Sequence, residues 1–434
     1  MSRATPVEMN GTQPVGLPRL LPPARVDLDT HLAQYGPLPV VHSRAQRAQL
    51  IDTVDRSGLR GRGGAGFPTG RKLRAVADKG RRNAVVANAA ESEPASFKDA
   101  ILITRAPHLV LDGAVIAANA VRADTVYLVI ERRDPAVRAV VDDAIAARAA
   151  TDPVRIEMVT VPSRYVAGEE SAAVNFINTG VAKPTFVPPR PFERGVRGRP
   201  TLVQNVETLA NVALIARYGA DWFRTVGTRE EPGSLLVTLT GAVAQPGVYE
   251  FPVGTPVLDV LGAAHTPLDT VGAMLVGGYF GNWLPPSALP ALRLTHASLR
   301  EAGGTLGSGV IGVLSDRSCG IAETARITRY LAEESAEQCG PCIYGVRALA
   351  DAMDALARRV IARDTVPNLR RWLDDVAHRG ACHLPDGAVG LVASSLRVFA
   401  DDVEAHSVHG RCIHANSRAV LPIPDEATRD RSWT

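Results

Sequence analysis

A dense group of glycines is the first feature of this chain that could do chemistry. Six glycines fall among the thirteen residues from Gly58 to Gly70, in the string GLRGRGGAGFPTG. Residues without a Cβ let the backbone approach a ligand closely, and N–H groups at the start of a helix bind phosphate. Lys72 follows and adds a mobile positive charge. The segment predicts a phosphate cradle, although a flexible surface loop is the alternative for this string alone.

Part of the same loop, Gly61-Arg62-Gly63-Gly64-Ala65-Gly66, also matches the dinucleotide-binding fingerprint. That fingerprint requires a strand directly before it and a helix after it. The preceding segment, residues 44–55, has helical periodicity instead. The match is therefore a weak signal, and we expect the glycines to join two helices.

The cysteines form a second candidate site. Cys339 and Cys342 lie in the string CGPC, and Cys382 follows in the same last quarter of the chain. Five cysteines is an odd count, and clustered cysteines favour metal or redox chemistry over a disulfide framework. A CGPC string is also typical of thioredoxin-like sites, but those begin a helix directly after a strand. Plain buried cysteines are the remaining alternative, and we expect Cys319 to serve packing.

Three further segments are rich in carboxylate, amide and hydroxyl side chains. They are Asn88-Ala89-Ala90-Glu91-Ser92-Glu93-Pro94, Tyr165-Val166-Ala167-Gly168-Glu169-Glu170-Ser171 and Asn205-Val206-Glu207-Thr208-Leu209-Ala210-Asn211. An adjacent pair of glutamates at a helix start is commonly a cap that complements the helix dipole. That interpretation stays open for Glu169 and Glu170.

Taken together and in this order, these segments and the glycine loop resemble the NADH-binding FMN flavoprotein subunit of respiratory complex I, the 51 kDa type. The same module occurs in NAD-reducing hydrogenases and NAD-linked formate dehydrogenases. The resemblance runs from about residue 51 to residue 406. It implies a chain that binds FMN, NAD(H) and an iron–sulfur cluster.

The resemblance also implies a role for each matching residue. Glu93 would lie nearest the nicotinamide and is the candidate catalytic residue, while Glu169 and Glu170 would line the nucleotide channel. Glu170 would accept hydrogen bonds from ribose hydroxyls and repel an extra 2′-phosphate, so that NAD is preferred to NADP. The remaining residues expected at the cofactor are Gly61, Gly63, Gly64, Gly66, Lys72, Asn88, Glu91, Tyr165, Gly168, Asn205 and Thr208.

The chain departs from the family pattern beside the flavin and the adenine. Ala90 stands where the family usually has an aspartate, which removes one carboxylate from the flavin side. Arg190 stands where the family has a phenylalanine that stacks on the adenine of NADH. An arginine can also stack on a base, and Phe186 and Phe192 are nearby alternatives.

A third departure concerns the cluster. The string from Glu334 to Cys342 resembles the family's cluster motif, in which three cysteines at two-residue spacing and one distant cysteine hold [4Fe–4S]. Ala336 occupies the first position, so the implied protein ligands are Cys339, Cys342 and Cys382. A fourth ligand would be Cys412, His383 or a non-protein group.

The elements that must position these residues alternate along the first half of the chain. Strand-like runs at 83–89, 125–130 and 155–161 alternate with helical patterns at 98–121, 135–149 and from 167 onward. Such alternation predicts an α/β domain with a largely parallel, Rossmann-like sheet. A small β-grasp domain and a C-terminal helical bundle are expected to follow it.

We expect five parts with the following bounds. They are a leader arm at 1–45, the FMN- and NADH-binding α/β domain at 46–230, the β-grasp domain at 231–300, the helical iron–sulfur bundle at 305–410 and a tail at 411–434.

Composition excludes several function classes. The 434 residues are 46% hydrophobic and 21% charged with a net charge of only +3, and the arginines are scattered, so nucleic acid is not an expected partner. The N-terminal segment lacks an apolar signal core, and no run approaches the length of a membrane span. We expect a cytoplasmic protein that does not insert into a membrane.

The sequence therefore predicts an NADH dehydrogenase that passes electrons through FMN to an iron–sulfur protein, a ferredoxin or a quinone-reducing partner. Its expected setting is a larger membrane-associated redox complex, peripheral to the inner face of the membrane. The alternative is a non-redox binding scaffold that keeps the fold and the β-grasp module.

Overall fold

The cofactor domain of the computed structural model is built on a four-stranded parallel sheet. The structure describes residues 16–39, 41, 43–80, 82–358, 364–427 and 429–434. The four strands are β1 (Asn83–Asn88), β2 (Ala123–Glu131), β3 (Arg155–Val161) and β4 (Thr201–Asn205). Their order is β3-β2-β1-β4, and each neighbouring pair is parallel. Strands β1 and β2 are nearly fully buried, as expected for a sheet covered on both faces.

Strand β4 was missing from the sequence prediction, which gave strand-like runs only at 83–89, 125–130 and 155–161 in this domain. It has five residues, begins directly after Pro200 and runs into the next helix at Val206, so no turn signal marks it. Its pairing with β1 is what distinguishes it from a loop. The strand matters for function because it creates the point at which the strand order reverses.

Eight helices among the described residues belong to this domain. They are α1 (Leu28–Tyr35), α2 (Arg44–Ser57), α3 (Thr69–Ala77), α4 (Lys98–Arg105), α5 (Pro107–Val121), α6 (Pro135–Arg148), α7 (Glu170–Thr179) and α8 (Val206–Phe223). The single helix predicted over 98–121 was wrong, since α4 and α5 meet at an angle of 98°. Pro107 lacks the N–H that would continue the first helix and instead starts the second.

A second sheet forms the next unit. Its strands are β5 (Ser234–Gly241), β6 (Gly247–Pro252), β7 (Val271–Val276), β8 (Asn282–Leu284) and β9 (Val310–Ser315), with the helices α9 (Val257–Ala263) and α10 (His296–Glu301). The strand order is β6-β5-β9-β7-β8. Strand β9 runs parallel to β5 and antiparallel to β7 at the centre of the sheet. The predicted boundary between 300 and 305 was therefore wrong, because it assigned this apolar, buried strand to the helical bundle.

The C-terminal bundle follows β9. Its helices are α11 (Gly320–Glu333), α12 (Arg347–Ala357), α13 (Thr365–Val376), α14 (Leu384–Val398) and α15 (Ala400–His409), and a π-helical turn, Pro341–Val346, precedes α12. Short 3₁₀ turns occur at Tyr165–Gly168, Val196–Gly198, Leu268–Thr270 and Pro286–Ala291. The predicted fold class, a Rossmann-like sheet followed by a small mixed sheet and a helical bundle, is confirmed.

The first and the last described segments of the chain pack against the domains between them. Arg19 lies 4.0 Å over the ring of Trp222, and the backbone N–H groups of Arg19 and Leu20 donate to Glu250 at 2.9 Å. At the other end, Ala182 donates its N–H to the carbonyl of Trp433 at 2.7 Å. Of the predicted leader arm, residues 1–15, 40 and 42 lie outside the described residues.

In the part of the chain that the structure describes, no single helix is both long and apolar enough to cross a bilayer, and one bent pair, α4 and α5, passes by length and composition alone.

Candidate functional site

The candidate site lies where the carboxyl ends of β1 and β4 meet. Asn88 and Asn205, the last residues of these strands, are register partners. In open parallel sheets a ligand binds in the crevice at the carboxyl ends of two strands whose connections run to opposite sides. This sheet reverses there because β2 and β3 lie on one side of β1 and β4 on the other. The fold thus brings the loops after β1, β3 and β4 to one edge.

The glycine loop between α2 and α3 is fixed against this edge. Gly61 donates its N–H to the carbonyl of Phe67 at 2.9 Å, and the Arg62 N–H donates to Thr208 Oγ1 at 2.8 Å. The buried Arg62 guanidinium donates to the carbonyl of Ser234 at 2.9 Å. Thr208, a predicted flavin contact, therefore anchors the loop. The loop is a fixed structure rather than a flexible surface segment.

Individual glycines of this loop are required for different reasons. A Cβ on Gly63 would lie 3.1 Å from the Asn205 Cβ, so the backbone passes close to the end of β4. Gly64 has φ of +118°, a conformation that residues with a Cβ rarely adopt. Gly66, at φ of +62°, faces the ring of His296 from the second sheet, 2.5 Å from a would-be Cβ. The loop forms a cradle that side chains would fill.

Lys72 and Glu170 form an ion pair beside the cradle. Lys72 Nζ lies 2.6 Å from Glu170 Oε2, and both side chains are partly exposed. Lys72 belongs to α3, directly after the glycine loop, and Glu170 is the first residue of α7. Lys72 could bind an anionic group of a ligand, and Glu170 could accept a hydrogen bond from a hydroxyl group. These two side chains lie within ion-pair distance of each other.

Glu169, the neighbour of Glu170, is a helix cap. Its Oε2 accepts the N–H groups of Ser171 at 2.8 Å and Ala172 at 3.2 Å in the first turn of α7. Burial raises the pKa of Glu169, and these hydrogen bonds oppose that effect. The structure therefore gives the two adjacent glutamates different surroundings, with Glu169 satisfied by its own helix and Glu170 turned toward Lys72.

Asn88 and Gly168 fasten two of the loops together. Asn88 Nδ2 donates to the carbonyl of Gly168 at 2.8 Å, and Asn88 Oδ1 accepts the Ala90 N–H at 3.1 Å. A Cβ on Gly168 would lie 2.7 Å from Ser92 Oγ and 2.8 Å from the Ala90 carbonyl. The loops after β1 and β3 thus touch only because residue 168 has no side chain.

Glu93 lies at the junction of the cofactor domain and the second sheet. Its Oε2 accepts the hydroxyl of Tyr165 and the N–H of Tyr279, both at 2.7 Å, and its Oε1 accepts the Ala95 N–H at 3.2 Å. Burial raises the pKa of Glu93 to about 7, although these hydrogen bonds favour the carboxylate. Glu93 and Tyr165, which were each predicted as site residues, are therefore in direct contact.

Glu91 points the opposite way along its loop. Its carboxylate accepts the N–H groups of Asp99 at 3.1 Å and Ala100 at 3.0 Å, in the first turn of α4. Burial and then the charge of Asp99 raise the pKa of Glu91 to about 7. The structure places Glu91 as a support for α4.

A buried network under Asn205 was not among the predicted site residues. Lys98 Nζ lies 2.7 Å from Asp99 Oδ1 and 2.9 Å from Glu207 Oε2. Asn205 Nδ2 donates to Asp99 Oδ2 at 2.7 Å, and Asn205 Oδ1 accepts the Glu207 N–H at 3.0 Å. Burial opposes the charge of Lys98, but Asp99 and Glu207 raise its pKa. Lys98 and Asp99 are adjacent in the sequence, and this pair of opposite charges is the feature that could have indicated the network.

We expect the buried carboxyl of Glu93 to make stability depend on pH. In the fold this group keeps its proton up to about pH 7, whereas its ordinary pKa is 4.5. The contribution of Glu93 to the free energy of unfolding should therefore be largest at or below pH 4.5 and be lost as pH rises to about 7, by at most about 1.4 kcal/mol per pH unit. Glu93→Gln should reduce this slope in denaturant unfolding between pH 5 and pH 8. The exposed variant Glu404→Gln should leave it unchanged, and an unaltered slope in Glu93→Gln would contradict the assignment.

The proline-rich loop between α7 and β4 contains the residues that were predicted to stack on an adenine, and among its described residues one aromatic ring is exposed. Phe186 is 66% exposed, and Arg190 is exposed nearby. Phe192 instead packs against the core of the cofactor domain, with Lys79 Nζ 5.7 Å from its ring centroid. Of the two phenylalanines proposed to stack on an adenine, only Phe186 is free to do so.

The three predicted cluster ligands converge. Burial raises the pKa of Cys342 to about 12, and the thiols of Cys339 and Cys382 are among the neighbours that act on it. Cys382 also interacts with Cys339 and with Glu169 of the cofactor domain, while burial raises its pKa to about 11. This donor set fits three thiolate ligands of an iron–sulfur cluster next to the nucleotide site.

The fourth position does not supply a thiolate. Ala336 is buried, and its carbonyl accepts Lys183 Nζ at 3.0 Å. Ser335, its neighbour, places a hydroxyl in hydrogen-bond contact with Cys342. Cys412, one of the proposed fourth ligands, lies with Cys319 and His406 instead.

Comparison with protein-family models places known domains on three stretches. The model of the Nuo51 FMN-binding domain matches residues 54–214, and the SLBB domain matches residues 236–264. The NADH-ubiquinone oxidoreductase-F iron-sulfur binding region matches residues 322–406. The first match contains the glycine loop and the loops after β1, β3 and β4, and the last contains the three converging cysteines.

Curated proteins are similar over most of the chain. The F subunit of the NADH-quinone oxidoreductase of Mycobacterium tuberculosis is 32% identical over 387 residues, covering 84% of this chain and 85% of that protein. The protein of the same name in Aquifex aeolicus is 33% identical over 372 residues, covering 82% and 86%.

Solved structures agree with these relatives. A chain of the air-oxidized NAD+-reducing [NiFe]-hydrogenase superposes with a TM-score of 0.77 at 33% identity, covering 83% of this chain. The match spans 62% of that hydrogenase chain. The H2-reduced form gives a TM-score of 0.74 at 32% identity and covers 86% of this chain and 69% of its own.

Proposed function

Because this chain belongs to the family of the F subunits of NADH-quinone oxidoreductase, the 51 kDa-type flavoprotein subunits, we propose that it is an NADH dehydrogenase subunit. When bound, FMN accepts a hydride from NADH and releases electrons singly to iron–sulfur centres. The observation that carries the proposal is the glycine cradle, which is fixed beside the point where the strand order of the sheet reverses, with Lys72 and Glu170 next to it.

The chain's own residues would position the nucleotides. The cradle from Gly61 to Gly66 would receive the flavin on the side of Gly64, where even a Cβ would meet no atom closer than 3.8 Å, while Gly63 lets the loop pack against Asn205. Lys72 supplies the positive charge that a phosphate requires. The buried Lys98 network holds Asn205, and Asn88 holds the Gly168 loop, so the walls are rigid before a ligand binds.

Glu93 would act while it is shielded from solvent. The carboxyl is buried and accepts hydrogen bonds from the Tyr165 hydroxyl and the Tyr279 N–H, so water does not screen its charge. With its pKa raised to about 7, the Glu93 carboxyl can hold or release a proton at neutral pH, whereas burial keeps the Tyr165 hydroxyl protonated as a hydrogen-bond donor to it. This contact also joins the cofactor domain to the second sheet.

Nucleotide selectivity is proposed to depend on Glu170. A 2′-phosphate near this carboxylate would meet like charge, whereas a 2′-hydroxyl would donate a hydrogen bond to it. We expect FMN-loaded protein to reduce ferricyanide with NADH and far more slowly with NADPH. Glu170→Gln should raise the KM for NADH by about tenfold, which corresponds to about 1.4 kcal/mol, and narrow the preference over NADPH. Flavin content should remain unchanged.

The control for this variant is Glu157→Gln, which removes a carboxylate from β3 that pairs with Arg155 away from the site. It should leave the KM for both nucleotides unaltered. Loss of FMN from Glu170→Gln with normal NADH affinity would contradict the assignment and would place Glu170 at the flavin phosphate instead.

Electrons would leave through the cluster to a partner protein. Cys342 lies in the π-helical turn Pro341–Val346, and Tyr344 of the same turn is 75% exposed. An exposed aromatic residue next to the buried Cys342 is the kind of surface that an interface covers. This feature supports docking of an iron–sulfur protein or ferredoxin at the turn. A cytoplasmic location, peripheral to the inner face of a membrane through such partners, completes the proposal.

A further inference from the structure

A second group of buried metal-binding side chains lies apart from the cluster ligands. Cys319, His406 and Cys412 are all buried, and their ligand atoms lie within 4.8 Å of one another. Cys319 Sγ is 3.4 Å from His406 Nε2. The thiols that act on Cys342 are those of Cys339 and Cys382, so the two groups are separate.

Three distant segments of the chain bring these residues together. Cys319 is the N-cap of α11, directly after the central strand β9, and His406 lies in the last turn of α15. Helix α15 ends at Gly410, whose φ of +71° turns the chain back and places Cys412 beside His406. The Cys319 N–H donates to Ser417 Oγ at 3.0 Å, which fixes the same C-terminal segment a second time.

Both sulfur atoms have surroundings that suit a thiolate. The Ala322 N–H donates to Cys319 Sγ at 3.3 Å, at the N-terminus of α11, where the helix dipole favours negative charge. A backbone hydrogen bond from His414 likewise reaches Cys412. Burial nevertheless raises the pKa of Cys319 to about 12, so a cation must displace the thiol protons.

The distances match tetrahedral zinc. With Zn–S of about 2.3 Å and Zn–N of about 2.0 Å, a tetrahedral site separates a sulfur and a nitrogen ligand by about 3.5 Å. The observed separation between Cys319 Sγ and His406 Nε2 is 3.4 Å. Asp402 lies one helical turn before His406 on α15 and contacts the Cys412 thiol, so a carboxylate is available as a fourth ligand.

We propose that Cys319, His406 and Cys412 bind a Zn²⁺ ion, with Asp402 or a water molecule in the fourth position. Zn²⁺ is favoured because two thiolates and an imidazole in a buried tetrahedral arrangement are its preferred donors. Binding replaces two S–H protons, which are released to solvent, and involves no oxidation or reduction.

The ion would fasten the C-terminal segment to the bundle. Residues after Cys412 reach the second-sheet unit, where Tyr279 donates its hydroxyl to the Pro422 carbonyl, and the cofactor domain, where Arg164 lies 4.3 Å over the ring of Trp433. The N–H of the same Tyr279 holds Glu93. Holding the start of this segment in place at Cys412 therefore stabilises Tyr279 and Glu93 at the wall of the nucleotide site.

The test is metal analysis of the full-length chain and its variants, purified without added metal. We expect about one zinc per chain in the wild type and less than a tenth of that in His406→Asn and in Cys319→Ser. The matched control His409→Asn changes an exposed histidine of the same helical turn and should retain the zinc. Cys382→Ala should keep the zinc even if it loses iron.

Cobalt provides a readout that is independent of folding yield. Wild-type protein treated with a chelator and then with Co²⁺ should show thiolate-to-cobalt charge-transfer and tetrahedral d–d absorption, and Cys412→Ser should weaken the charge-transfer band. Chelation should also accelerate proteolysis within residues 413–434. Wild-type protein that holds neither zinc nor cobalt would overturn the proposal, as would a peptide map that shows a Cys319–Cys412 disulfide in freshly purified protein.

Discussion

Gly64→Val is expected to eliminate FMN binding. The residue has φ of +118°, so valine at this position must either accept strain of about 1–3 kcal/mol or change the loop conformation. A Cβ there would meet no atom closer than 3.8 Å, so strain and loss of the cradle are the causes rather than a clash within the protein. Flavin content, measured by absorbance and by fluorescence after heat release, should fall below a tenth of the wild-type value.

Gly80→Val is the matched control for this prediction. Gly80 has a similar φ of +122°, and a Cβ there would also meet nothing within 4 Å, but it lies in the turn between α3 and β1. Both variants should lose similar thermal stability, and only Gly64→Val should lose flavin. Equal, undiminished flavin in a folded Gly64→Val protein would show that the loop is structural and does not bind the cofactor.

Cys382→Ala is expected to remove the iron–sulfur cluster, and Ala336→Cys is expected to strengthen it. The wild-type site has three converging thiols, so one iron should lack a cysteine ligand and be lost in air. Ala336→Cys would restore the family's four-cysteine motif at a buried position. Iron and sulfide content in air should therefore rise in Ala336→Cys and approach zero in Cys382→Ala, while FMN content stays constant in both.

The control is Ala352→Cys, which adds a thiol at another buried alanine of the bundle, on α12. It should leave iron and sulfide at the wild-type level. Wild-type protein that shows no iron, no sulfide and no paramagnetic signal after anaerobic reconstitution and reduction would contradict a cluster at these cysteines. Electrons would then have to pass directly from the flavin to the partner protein.

Local sequence patterns predicted most of the helices and strands but not the strand that completes the site. Alternating apolar runs and helical periodicity located β1, β2, β3 and α6 within two residues of their observed bounds. Strand β4 escaped because its five residues are recognisable only by their pairing with β1. Strand β9 escaped for the same reason, since it is defined by β5 and β7, more than 30 residues earlier in the chain.

The hydrogen-bond partners of the candidate site residues could not be predicted from the sequence. The family resemblance implied that Glu91, Asn88 and Thr208 contact a ligand. The structure shows these side chains bonded to the start of α4, to the Gly168 loop and to the Arg62 N–H. Such partners are set by tertiary packing, which one sequence does not reveal. The proximity of Cys319 to Cys412, 93 residues later in the chain, could not be predicted from the sequence for the same reason.

Anaerobic titration of the purified, FMN-loaded chain with NADH tests the central claim most directly. We predict that the visible absorbance of the bound flavin bleaches with about one NADH per FMN, because one hydride carries both electrons that the flavin accepts. An equal concentration of NADPH should leave most of the absorbance unchanged over the same time. Flavin that stays oxidised in excess NADH, or a protein that remains colourless after incubation with FMN, would contradict the account.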